Sequence, residues 1–284
     1  MRLHIAHRTA IVAAAAGSVA LVASSCFTGS DGLVPPTESL YFPTSALVSP
    51  GRTALYVVNS DFDLQYNGGT VQILNLAATG DQEGIRDIAE RVAQGIDAGD
   101  SPSEVCGSIG STPNLNVSLY PGPCEAIDVE PFVRAFATIG AFGSGISYLP
   151  RDDGERGARL FVSVRGDPSV TYFDVADDRD PDQIVSPCES AFCLECSAVG
   201  DEQRCARAHR VGENIFTSQR GLLLPTEPTS VASAPGRATD PLVVAHQTTN
   251  TASLVVNRWP EGGDTTPFAA TPSLEFLLEG LPDG

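Results

Sequence analysis

A short phrase occurs twice in this chain, and it constrains how the rest can be read. Pro43-Thr44-Ser45 is followed, seven residues on, by Pro50-Gly51-Arg52, and Pro228-Thr229-Ser230 is followed at the same distance by Pro235-Gly236-Arg237. Each copy continues into an apolar run, a polar turn and a second apolar run. In the first copy these runs are Leu55–Val58 and Val71–Leu76, with the Asp-, Asn- and Gly-rich segment Asp61–Gly69 between them. The β-branched apolar run Leu55–Val58 and the alternation of Val71–Leu76 point to strands, and the polar segment to a hairpin loop. A repeated unit this small cannot bury both faces of its own sheet, so such units stack on one another. The pattern predicts an all-β chain built of several copies with insertions between them. The 27 Gly and 21 Pro fit many turns and short strands, and 42% hydrophobic residues suffice for a core.

A second strand-rich unit is expected from Pro131 to Val175. It contains Phe132–Ile139, Gly145–Leu149, Leu160–Val164, the tight turn Arg165–Pro168 and Ser169–Val175. A third runs from Gly221 to Asn257, and a fourth begins near Phe268. Two insertions separate the units, residues 77–128 and 176–219. In the first, Ile85, Ile88, Ala89, Val92 and Ile96 recur at helical spacing, which predicts one short amphipathic helix over Gly84–Asp97 that packs on the sheets. The second opens on the acidic run Asp177–Asp182, which reads as a solvated loop, and carries four cysteines.

Residues 1–25 have the layout of a secretory signal, with Arg2 and Arg8 ahead of the apolar run Ile11–Ala23. The ending Ala23-Ser24-Ser25-Cys26 resembles a bacterial lipobox, although Ala23 stands where that motif prefers Leu. The resemblance implies that Cys26 is lipidated and that residues 26–39 form anchor and tether, leaving residues 40–284 as the folded domain. The other reading is ordinary cleavage nearby, with Cys26 a free thiol. Phe27 after the cysteine, in place of Asp, implies the outer membrane by the same analogy. The formal net charge of -18 disfavours a phosphate backbone as partner and excludes nucleic-acid binding. No Lys is present, which excludes a Schiff-base mechanism.

The pair Leu55–Asn59 (LYVVN) and Thr70–Leu76 (TVQILNL) resembles the YVTN-type β-propeller repeat, and Leu242–His246 (LVVAH) is a diverged copy that places His246 where Asn59 sits. The resemblance covers about half of the mature chain. It implies four-stranded antiparallel blades around an axis, with Asn59 and His246 as funnel candidates. Propellers close with roughly 4 to 8 blades, and three plus a start are counted here. An incomplete, open fan of three to four blades is therefore expected, with self-association through an open blade and a homodimer completing the ring as one form of it.

Cys106, Cys124, Cys188, Cys193, Cys196 and Cys205 remain once Cys26 is set aside, an even number for an oxidising compartment. Cys106 with Cys124 is the natural local pair, and of the rest 188–196 and 193–205 are favoured. The competing reading of Cys188, Cys193, Cys196, Cys205 and His209 is a zinc site. Asp61, Asp63, Gln65 and Asn67 alternate in one loop. They read either as hard oxygen ligands for calcium, without the bidentate Glu such a site wants, or as an Asx-rich turn. Beyond these no cofactor is called for. The leading functional reading is a lipid-anchored, non-enzymatic interaction scaffold with an envelope or protein partner. The alternatives are a propeller hydrolase or oxidoreductase with a metal or quinone in the axial funnel, and a truncated fragment with no function of its own.

Overall fold

The computed structural model describes residues 32–78, 80, 82–114, 122–151, 157–180, 184, 187–200, 202–235, 239–259 and 270–280. The signal segment, Cys26, Asp182 and Gly236-Arg237 lie outside them. Twelve strands form three four-stranded antiparallel sheets, each taken up in chain order. The first holds β1 (Pro43–Val48), β2 (Ala54–Asn59), β3 (Thr70–Asn75) and β4 (Val133–Thr138). The second holds β5 (Gly143–Pro150), β6 (Ala158–Val164), β7 (Ser169–Val175) and β8 (Arg210–Val211). The third holds β9 (Pro228–Ser233), β10 (Asp240–His246), β11 (Thr251–Asn257) and β12 (Ser273–Glu279).

The sheets lie face to face. Tyr56, Val58, Val71 and Ile73 of the first meet Leu160, Val162, Val164 and Phe173 of the second. The other face of the second sheet supplies Phe161, Val170 and Tyr172, which meet Leu242, Val244, Val255 and Leu274 of the third. This is why β6 is buried at every position while β10 alternates. The first strands adjoin: β1 packs against β5, and β5 against β9. Gly145 of β5 is required there, since a Cβ would stand 2.7 Å from Ser230 Cα. Among the described residues β9 and β1 make no comparable contact.

The predicted units need rephasing. The 77–128 insertion lies inside the first sheet, between β3 and β4, so the strand expected to open the second unit completes the first. The strand expected to open a fourth unit is β12, the last of the third sheet. β1 and β9, the Pro-Thr-Ser segments themselves, are strands that the apolar pattern passes over.

The outer face of the first sheet is covered by its own insertion. Helix α1 (Ile85–Ala98) matches the expected amphipathic helix, and a second helix, α2 (Pro102–Gly107), follows it. Ile85 and Ile88 pack with Phe132, Val57 and Leu74, whereas Ile96 at the end of the stripe is exposed. Ser101 caps α2, with its Oγ accepting from Glu104 N while Glu104 Oε2 accepts from Ser101 N at 2.9 Å.

Cys106 pairs with Cys124 as expected. The other pairs are Cys188–Cys193 and Cys196–Cys205, which corrects the favoured 188–196 and 193–205 and removes the thiolates a zinc site would need. The cysteine-bearing segment ties two sheets together at their edges. Cys205 N donates to Thr138 O of β4 at 3.1 Å, and Glu195 exchanges two 2.9 Å backbone bonds with Asp174 of β7. The acidic run is corrected as well: Asp177 and Asp178 are buried. Asp178 accepts from Ser49 Oγ, from Gly51 N at 2.8 Å and from Thr53 N at 3.1 Å, so it closes the β1–β2 turn. Gly51 has no alternative there, because a Cβ would meet Asp178 O at 2.0 Å.

Candidate functional site

The three first strands share a local device. Each has a bulge at its start: Thr44 is the extra residue between Pro43 and Ser45, Ser144 and Gly145 together oppose Ser163, and Thr229 is the extra residue between Pro228 and Ser230. Each bulge carries a hydroxyl that donates to the neighbouring strand of its own sheet, from Thr44 to Val58 O at 3.3 Å, Ser144 to Ser163 O at 3.3 Å and Thr229 to Ala245 O at 3.4 Å. The same hydroxyl reaches the first residue of the next sheet, from Thr44 to Gly143 O at 2.7 Å and from Ser144 to Pro228 O at 3.1 Å. Among the described residues no acceptor stands in that second place for Thr229. Ser147 Oγ and Ser233 Oγ, 2.7 Å apart, add a further link between β5 and β9.

Among the described residues, the side of the third sheet that faces away from the second carries no covering element. Its strand register places Ala232, Val243, Leu254 and Phe276 in one row, and Ser230, Ala245, Ala252 and Leu278 in the next. Val243 is 43% exposed and Phe276 60%, and neither row holds a charge. Contiguous apolar side chains on a sheet face are the ordinary mark of an interaction surface. Behind this face the charges are compensated. Glu275 is buried and accepts from Arg258 and Arg220, each at 2.6 Å. Burial alone would raise its pKa, but the hydrogen bonds from Ser273, Arg258 and Arg220 outweigh it and hold the carboxyl at about 2. Arg159 is likewise buried between the second and third sheets, bonded to Asp174, Asn257 Oδ1 and the carbonyls of Arg258 and Ala270, with Trp259 stacked 4.7 Å away.

Asn59 and His246 end corresponding strands, β2 and β10, but in different sheets. Asn59 is fully buried; its Nδ2 donates to Thr70 Oγ1 and Gln72 Oε1 at 3.0 Å, and its Oδ1 accepts from Tyr41 N. It knits the segment before β1 to the sheet. His246 pairs with Thr226 O at 3.1 Å and with Ser253 Oγ at 2.8 Å, and burial lowers its pKa. Ser253 itself is fully buried. His209 stacks on Tyr172 at 4.3 Å with Nδ1 3.0 Å from Tyr172 O, a packing position.

In the β2–β3 loop Asp61 is buried, and burial raises its pKa. Asp61 Oδ1 accepts from Tyr66 N and Asp63 Oδ1 from Gln65 N, so both carboxylates make turn bonds. Among the described residues Asp61 Oδ2 and Asn67 Oδ1 have no hydrogen-bond partner, but the Arg204 guanidinium bonds Asn67 O at 3.0 Å, so a cation already sits beside the loop. Among the described residues no group of three His, Cys, Asp or Glu side chains is placed to hold a metal ion.

No family model matches the chain, and no curated protein was found to be similar to it in sequence. The hydroxyls of Thr44, Ser144 and Thr229 were within reach of sequence reasoning, because two of them lie in the repeated Pro-Thr-Ser phrase.

Proposed function

We propose that the chain is a lipid-anchored, propeller-like protein of the bacterial outer membrane that serves as a binding scaffold, with the open face of its third sheet as the binding surface. The observation that carries this reading is the uncharged row of Val243, Leu254 and Phe276, which no described residue covers, on a chain whose net charge is -18. The Ala-Ser-Ser-Cys26 ending and Phe27 support the anchor and its destination. The packing of β1 against β5 and of β5 against β9 supports an open fan of propeller blades.

The partner this face suits is a second copy of the chain. The chain is strongly acidic, and this patch brings no like charges together. The far face of the first sheet is covered by α1 and the segment after it, so head-to-tail growth is blocked. A single self-complementary face gives a closed pair. Four strands about 4.8 Å apart and some 20 Å long offer roughly 400 Å² in plan. That is below the ~800 Å² per partner of a standard interface, which makes the pairing weak and concentration-dependent.

Light scattering on the mature chain carrying Cys26→Ser tests this across the micromolar range. The mass is expected to rise from monomer towards dimer, and Val243→Glu with Phe276→Glu to restore the monomer. A wild-type chain that stays monomeric throughout, or one whose association ignores both glutamates, contradicts the assignment.

A further inference from the structure

A second apolar surface lies at the other end of the chain's path, around the β2–β3 loop. Phe62 is 64% exposed at the tip of this loop and Leu64 is 60% exposed. Leu33 and Val34 are exposed beside them, held there by backbone bonds from Leu33 N to Gln65 O at 3.2 Å and from Asn67 N to Leu33 O at 2.9 Å. The Phe62 ring stands 6.2 Å from Phe42, which is also exposed, and 6.0 Å edge-on from Phe142.

The backbone underneath is unusual. Phe42, Leu64 and Phe142 have φ of 44°, 55° and 59°, and Asp61, between them in the chain, has 52°. Bulky side chains rarely adopt this left-handed region, and such outliers gather at working surfaces. The loop turns its carboxylate Asp61 inward and its phenyl and leucyl groups outward, the reverse of what solubility alone would select.

We infer that this loop end is a lipid-facing surface that rests on a zwitterionic bilayer beside the anchor; the inference rests on the reading of Cys26 as a lipidated residue. Leu33 is seven residues after Cys26. Seven residues fully extended reach at most ~25 Å, so an anchor at Cys26 confines this end of the molecule to the membrane's neighbourhood. Exposed Phe and Leu side chains insert at the headgroup boundary, and one anchoring signal is commonly completed by a second. Asp63 is exposed within the loop, and the chain is strongly acidic, so anionic lipid is repelled rather than recruited.

The test is flotation of the mature, unlipidated chain carrying Cys26→Ser with two kinds of vesicle. One is phosphatidylcholine with phosphatidylethanolamine; the other is the same mixture with added phosphatidylglycerol. Binding to the first is expected, with weaker binding to the second, and Phe62→Ser with Leu64→Ser should reduce it by about tenfold. Both positions are exposed, so the variant should keep the wild-type circular dichroism. Absence of binding to either vesicle, or binding indifferent to the double substitution, overturns the surface. So does a lipid-free dimer abolished by that substitution, which would assign the patch to a second copy. The anchor reading fails separately, if the N-terminal peptide from an expressing bacterium carries Cys26 unmodified.

Discussion

Glu275 shows what a single side chain does for the third sheet. Its folded pKa of about 2 lies below the ordinary 4.5 of a free glutamate. A depressed carboxyl contributes stability that is complete above the unfolded value and is lost as pH falls from about 4.5 towards 2. Glu275→Gln is expected to cost roughly 2 kcal/mol at pH 7, where Arg220 and Arg258 lose the carboxylate charge and one of the two oxygens they share. The gap between wild type and variant should close as pH falls through that window. Urea unfolding followed by Trp259, the only Trp in the chain, reads it. A gap unchanged from pH 7 to pH 3 contradicts the assignment. Residue-scale reading of the sequence was weakest for charges of this kind. Asp178 sits in an acidic run and reads as solvated, yet it is buried on the turn at Gly51, because its partners lie far away in sequence and leave no local sign.

Among the elements, the legible ones were those richest in apolar side chains. β2, β3, β6, β7 and α1 fall where periodicity predicts them, since each carries enough apolar residues to declare its face. β1 and β9 were passed over because each opens on the polar Pro-Thr-Ser phrase, where Thr44 and Thr229 work through hydroxyl and bulge, not through apolar burial. β4 and β12 were assigned to the wrong units because the residues that pair them, Val71 with Ala137 and Leu254 with Phe276, are separated by long insertions or loops. Pairing leaves no periodic trace across such gaps. Cysteine connectivity is illegible for a similar reason, since four cysteines allow three pairings. The structure settles on the pairs Cys188–Cys193 and Cys196–Cys205, each joining cysteines adjacent in the series, 5 and 9 residues apart. Cleavage after Glu189, Glu195 and Glu202 places each of these cysteines on a separate peptide. Mass mapping without reduction is expected to return 188 joined to 193 and 196 joined to 205. A 188–196 or 193–205 product would contradict the fold of this segment.

For the whole molecule, the consequence is an asymmetric stack. Helix α1 and its neighbours close one end, three sheets follow, and the last presents apolar rows that no described residue covers, with a hydroxyl at Thr229 that repeats a donor used twice before. That asymmetry supports reading the chain as a scaffold, and it depends on the first strands lying side by side. The most direct test joins two of them covalently. Ser147 of β5 and Ser233 of β9 are 86 residues apart in sequence, yet their hydroxyl oxygens are 2.7 Å apart. Ser147→Cys with Ser233→Cys, made in the Cys26→Ser background, is expected to oxidise within one chain under mild conditions, leaving no free thiol and a monomer on a non-reducing gel. Two thiols that remain free, or that form only cross-links between chains, would show that the second and third sheets do not adjoin along these strands.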